Sequence, residues 1–77
     1  MVYVDMVGRT DDGIEFEYRP ERRSSNPGSF VISNDGALRN LRTAIKGNAD
    51  SWYLSHAVQA AIEMSRSGEP HKVVAWY

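Results

Sequence analysis

The sequence predicts an α+β domain: one mostly antiparallel four-stranded sheet with two helices on one face, in the order β-β-β-α-α-β. Three observations carry that expectation. Residues 50–66 (DSWYLSHAVQAAIEMSR) repeat their apolar side chains at helical spacing, and residues 2–19 alternate like two paired strands. Residues 71–77 (HKVVAWY) then close the chain as a short apolar run after Pro70.

The first two strands cover residues 2–10 and 14–19. Val2, Val4 and Met6 share one face, with Tyr3, Asp5 and Val7 on the other; Ile14, Phe16 and Tyr18 alternate with Glu15, Glu17 and Arg19. Asp11-Asp12-Gly13 between them fits a type I turn closed by a left-handed glycine bulge. The implied register sets Thr10 across from Ile14, Arg9 from Glu15, Val7 from Glu17 and Asp5 from Arg19. Two opposite-charge pairs then share the outer face, whereas a slip by two would oppose Asp5 to Glu17, which repel.

Residues 20–29 (PERRSSNPGS) hold no apolar side chain beyond their prolines and predict a mobile loop with a turn at Pro27-Gly28. Residues 30–33 (FVIS) are the third strand. Ser33-Asn34-Asp35-Gly36 reads as the cap of a first helix over residues 37–46. Its apolar side is Ala37, Leu38, Leu41, Ala44 and Ile45, Arg39, Arg42 and Lys46 form a separate stripe, and Gly47 ends it.

Residues 48–49 link it to the second helix, which Asp50 or Ser51 caps and Gly68 with Pro70 terminates. Leu54, Ala57, Val58, Ala61 and Ser65 fall on its core-facing stripe. The last strand is apolar on both sides, with Val73 and Ala75 on one and Val74 and Trp76 on the other. It therefore wants either an interior place in the sheet or a homodimer that buries Val73 to Tyr77. The expected core is Val2, Val4, Ile14, Phe16, Ile32, Leu41, Ile45, Leu54, Val58, Ala61 and Val74.

Seventy-seven residues make a single domain, residues 1–77, too small to build a deep catalytic cleft inside its core. Nine basic and ten acidic residues leave a formal charge of −1, which argues against nucleic-acid binding by bulk charge but not against a local basic patch. With no cysteine, disulfides and thiolate metal sites are out of reach, and a reducing, cytoplasmic setting is the expectation. No apolar run reaches the about 18–20 residues of a membrane span, and the start M-V-Y-V-D-M lacks the basic head and apolar core of a secretory signal.

The residues that could carry chemistry are few. His56 and His71 belong to no metal-binding spacing, and neither lies near a convincing serine nucleophile, so no metal and no cofactor is expected. Glu15 and Glu17 stand about 7 Å apart on one side of a strand, a spacing that any two alternate strand residues share. Asp11 and Asp12 are turn formers. The sequence therefore reads as non-enzymatic.

Binding has more support. Trp52 lies about 160° from Leu54 on the helical wheel, off the core-facing stripe unless the helix rolls to let it cap the core. With His56 and Gln59 on the same helix, and Arg22 and Arg23 in the loop, it suggests a protein-docking surface, since Trp, Tyr and Arg dominate interface energetics. The alternative is a nucleic-acid module that contacts phosphates through Arg22, Arg23, Arg39, Arg42 and Lys46. In size, lack of cysteine and absence of catalytic signatures, the chain is similar to many small phage or mobile-element proteins. These include regulators and inhibitors that plug a partner's site, a likeness of size and style alone.

Overall fold

A computed structural model describes residues 1–20, 27–42 and 48–75, with the side chains of residues 48–51 left aside. The chain folds as β1 (Val2–Arg9), β2 (Gly13–Arg19), β3 (Gly28–Ser33), β4 (Leu38–Arg42), α1 (Asn48–Ser67) and β5 (His71–Val74). The five strands form one antiparallel sheet in the order β4-β3-β2-β1-β5. This corrects the expected architecture: there are five strands and one helix among the described residues, not four strands and two helices.

The correction arises at Ser33-Asn34-Asp35-Gly36, which turns a hairpin instead of capping a helix. Ser33 donates its N–H to the Ala37 carbonyl (2.9 Å), Gly36 donates to the Ser33 carbonyl (2.8 Å), and Gly36 sits at φ +87°. That is a three-residue hairpin loop with glycine in the left-handed position. The Asp35 carboxylate accepts from the Ser33 hydroxyl and from the Ala37 N–H, which locks the turn. Residues 38–42 therefore pair with β3, so Arg39 and Arg42 belong to a strand and not to a helical stripe. Leu41, expected in the core, is 45% exposed, while Ile45 and Lys46 lie outside the described residues.

The first hairpin keeps its faces and changes its partners. Thr10 and Gly13 exchange both main-chain hydrogen bonds, so the loop is Asp11-Asp12 alone and Gly13 begins β2. Arg9 then faces Ile14 and Gly8 faces Glu15; beyond an irregularity at Val7, Met6 faces Phe16, Asp5 faces Glu17 and Tyr3 faces Arg19. The shorter loop and the bulge each move the pairing by one residue. Together they produce the slip by two that simple charge opposition disfavours. Parity is preserved, so Val2, Val4, Phe16 and Tyr18 still point the same way.

Gly13 is needed for close approach rather than for a left-handed bulge. A Cβ there would meet the Ile32 carbonyl oxygen at 2.2 Å. Gly28 likewise belongs to β3, paired with Tyr18, and not to a turn; a Cβ on it would strike the Tyr18 ring at 2.2 Å. The expected mobile loop therefore ends before β3, and its residues 21–26 lie outside the described residues.

One face of the sheet carries the core. Val2, Val4, Phe16, Tyr18 and Phe30 are fully buried on it, with Ile14 and Ile32 nearly so. Phe30 lies between Phe16 and Tyr18 at ring-centroid distances of 5.8 and 5.9 Å. The helix lies over β1, β5 and β2 and buries Ala57, Ala60, Ala61 and Met64, with Tyr53, Leu54, Val58, Ile62 and Val74 partly buried around them. Relative to the expected stripe, α1 is rolled toward Met64. It begins at Asn48, so Asp50 and Ser51 are inside it instead of capping it. Its end is as expected: Gly68, at φ +81°, donates to the Met64 carbonyl (2.7 Å).

β5 is an edge strand, not an interior one, with Val73 53% exposed. No helix among the described residues is long and apolar enough to cross a membrane.

Candidate docking surface

The outer side of α1 is built by residues spaced at i, i+4, i+7 and i+11: Trp52, His56, Gln59 and Glu63. Trp52 is 60% exposed, so it does not cap the core. Its ring meets that of His56 edge-on, with centroids 5.9 Å apart and planes at 63°. Gln59 is exposed one turn further along.

Two contacts fix which way this stripe looks. Glu63 forms an ion pair with Lys72 of β5, so the stripe lies on the β5 side of the helix. Ser65, on the opposite flank, lines a depression with Ile14 and Ile32 on the β2–β3 side. Trp52, His56 and Gln59 therefore overlook the free edge of the sheet. The Lys72 ammonium and the Glu63 carboxylate hold each other charged: hydrogen bonding and Coulomb attraction lower the Glu63 pKa and raise that of Lys72.

The outer face of the sheet collects the charged residues. Asp5, Glu17 and Ser29 lie in one row, continued by Arg42 on β4 and His71 on β5; Glu15 and Val31 lie in the next row with Arg39. Arg39 and Arg42 are three apart, which in a regular strand sends side chains to opposite faces. Here Asn40, at φ +53°, sits in a bulge opposite Phe30 and returns Arg42 to the face of Arg39. Arg19 lies 3.6 Å from Asp5 and 3.5 Å from Glu17, holding the opposed carboxylates together. The face is thus basic along β4 and acidic along β2 and β1. Of the residues expected at a basic patch, the structure brings Arg39 and Arg42 together; Arg22, Arg23 and Lys46 lie outside the described residues.

His71 opposes Asp5 beside Glu17, but on an open strand face and not in a cleft. A depression of about 390 Å³ lies between the two hairpin turns, lined by Asp12, Ser33, Asn34, Asp35 and Arg39. Its polar groups already serve the fold. Asn34 donates its N–H to the Asp12 carbonyl (2.9 Å) and its side-chain amide to the Asp11 carbonyl (3.1 Å), while Ser33 holds Asp35. Hydrogen bonds from Ser33 and the Ala37 N–H, with Arg39 nearby, lower the pKa of Asp35 below its usual 3.8. Among the described residues, no group of three or more His, Cys, Asp or Glu side chains could hold a metal ion.

For the apolar run of residues 71–77 the sequence offered either an interior place or a homodimer, and the structure places β5 at an edge of the sheet. No family model, curated protein or solved structure matches the chain.

Proposed function

We propose that this chain is a non-enzymatic binding protein that docks to another macromolecule through the outer side of α1. Trp52, His56 and Gln59 would be its centre. The observation that carries the reading is an indole 60% exposed on the helix, its ring edge-on to a histidine one turn away. An exposed Trp on a rigid element is among the side chains that most often dominate an interface. The proposed contact also includes Arg22 and Arg23, which lie outside the described residues. A role as a regulator or inhibitor that plugs a partner's site is an extension by likeness of size and style alone.

The nucleic-acid alternative has less support. Arg39 and Arg42 share a face with Glu15, Glu17 and Asp5, which lie two to three strands away, about 10–14 Å at normal strand spacing. That is within the screening length only at low salt, where the acids offset part of the attraction for phosphate.

The test is a pair of measurements on Trp52→Ala: thermal unfolding, and affinity for a macromolecule that the wild-type protein binds. Unchanged melting with at least a tenfold loss of affinity supports the proposal. Unchanged affinity removes Trp52 from the surface, and a steep fall of affinity with salt for any DNA or RNA would favour the basic patch instead.

A further inference from the structure

The two edges of the sheet are built differently. β4 carries Arg39 and Arg42 and is broken by the bulge at Asn40, two devices that discourage further strand pairing. β5 is regular, and its one cationic side chain, Lys72, is turned inward to Glu63. At its edge stands Val73, 53% exposed.

The hydrogen-bond alternation shows which main-chain groups face outward. Met6 donates its N–H to the Pro70 carbonyl (2.8 Å), and the pairing continues with Val4 opposite Lys72 and Val2 opposite Val74. In an antiparallel ladder, alternate residues bond to the same neighbour, so Pro70, Lys72 and Val74 address β1. The N–H and C=O of His71 and Val73 therefore address the open side, where no described strand receives them.

We infer that this edge pairs with a second copy of the chain, β5 against β5 in antiparallel fashion, about a two-fold axis at Val73. Centring there uses the outward-facing groups of Val73 for two reciprocal hydrogen bonds. It places Val73 beside its copy, Lys72 opposite Val74 and His71 opposite Ala75, so no like charges oppose each other. Centring on Lys72 would set ammonium against ammonium and use main-chain groups that β1 already occupies. The pairing makes one continuous ten-stranded sheet from two five-stranded ones. Both α1 helices then lie on the same side of it, with Trp52, His56 and Gln59 of each copy overlooking the axis. The inference rests on the edge and not on Trp52, so each can fail without the other.

Sedimentation equilibrium on the full chain, with two variants, tests it. The wild type is expected to approach twice the monomer mass at high micromolar concentration. Val73→Lys, which puts two ammonium groups at the axis, should shift the dimer–monomer midpoint at least tenfold upward with an unchanged circular dichroism spectrum. Val73→Cys should form a covalent dimer on mild oxidation, whereas Arg42→Cys at the other edge should not; the native chain has no cysteine to interfere. A wild type that stays monomeric overturns the inference and leaves the edge to an extended segment of a different protein. So does a dimer that Val73→Lys does not weaken while Val73→Cys fails to cross-link.

Discussion

Asp5 and Glu17 stand directly opposite each other across the β1–β2 ladder, two carboxylates where pairing rules favour opposite charges. Arg19 reconciles them, within 3.6 Å of the first and 3.5 Å of the second. All three side chains are about a third or more exposed, so the arrangement is worth little in absolute terms. Its removal has a defined sign. Arg19→Gln is expected to destabilise by about 0.5–1 kcal/mol at low salt and less at high salt. Adding Asp5→Asn should recover part of that loss, and a double-mutant cycle in urea measures the coupling.

The glycines make a sharper prediction. Gly13→Ala drives a methyl into the Ile32 carbonyl, backbone that cannot step aside, and should cost about 2–3 kcal/mol or more. Gly36→Ala meets open space and should cost only the left-handed penalty of about 1–2 kcal/mol. Equal midpoints for the two in chemical denaturation would contradict the close approach of β2 and β3.

Acid and base should act at different places. The pKa of Asp35 is lowered by Ser33 and Ala37, and that of Glu63 by Lys72, so each carboxylate stabilises the fold above its unfolded pKa. Those contributions are lost as pH falls below about 3.8 for Asp35 and 4.5 for Glu63, through the lower folded values. Lys72 is shifted the other way. Its contribution is complete below 10.5 and disappears as pH rises through its higher folded value. Asp35→Asn should flatten the acid limb of a stability–pH profile, and Glu63→Gln should flatten both the acid and the alkaline limbs.

Core and surface of α1 separate cleanly. Met64 is fully buried, and Met64→Ala should lose about 2–4 kcal/mol. A domain of this size has about 3–5 kcal/mol in total, so much of the population would unfold at room temperature. Trp52→Ala should change stability by less than about 0.5 kcal/mol. Comparable losses for both would place the indole in the core and withdraw the docking proposal.

Asn40 tests the placement of the two arginines. Asn40→Gly should be neutral or slightly stabilising, since glycine prefers φ +53° more than asparagine does. Asn40→Val should destabilise by about 1–2 kcal/mol and, where the strand straightens, send Arg42 to the opposite face from Arg39. Nuclear Overhauser contacts between the Arg42 side chain and Ser29 would report the change.

Alternation by itself determined which side of β1 and β2 faces the core, because a two-residue period leaves a side chain no other choice. Helical spacing and the Gly68 stop determined α1 in the same local way. Register was not local. Whether Gly13 turned or paired depended on the Ile32 carbonyl arriving from β3, and the slip that opposes Asp5 to Glu17 is eased by Arg19, which spans both. Thr10-Asp11-Asp12-Gly13 and Ser33-Asn34-Asp35-Gly36 are near-copies, and both turn hairpins, one with two loop residues and one with three. Polar residues before a glycine serve a turn as well as a helix cap, so only pairing with β3 decided that residues 38–42 extend the sheet. The same pairing left β5 at one edge beneath the exposed side of α1, a juxtaposition of chain segments that no single stretch of sequence encodes.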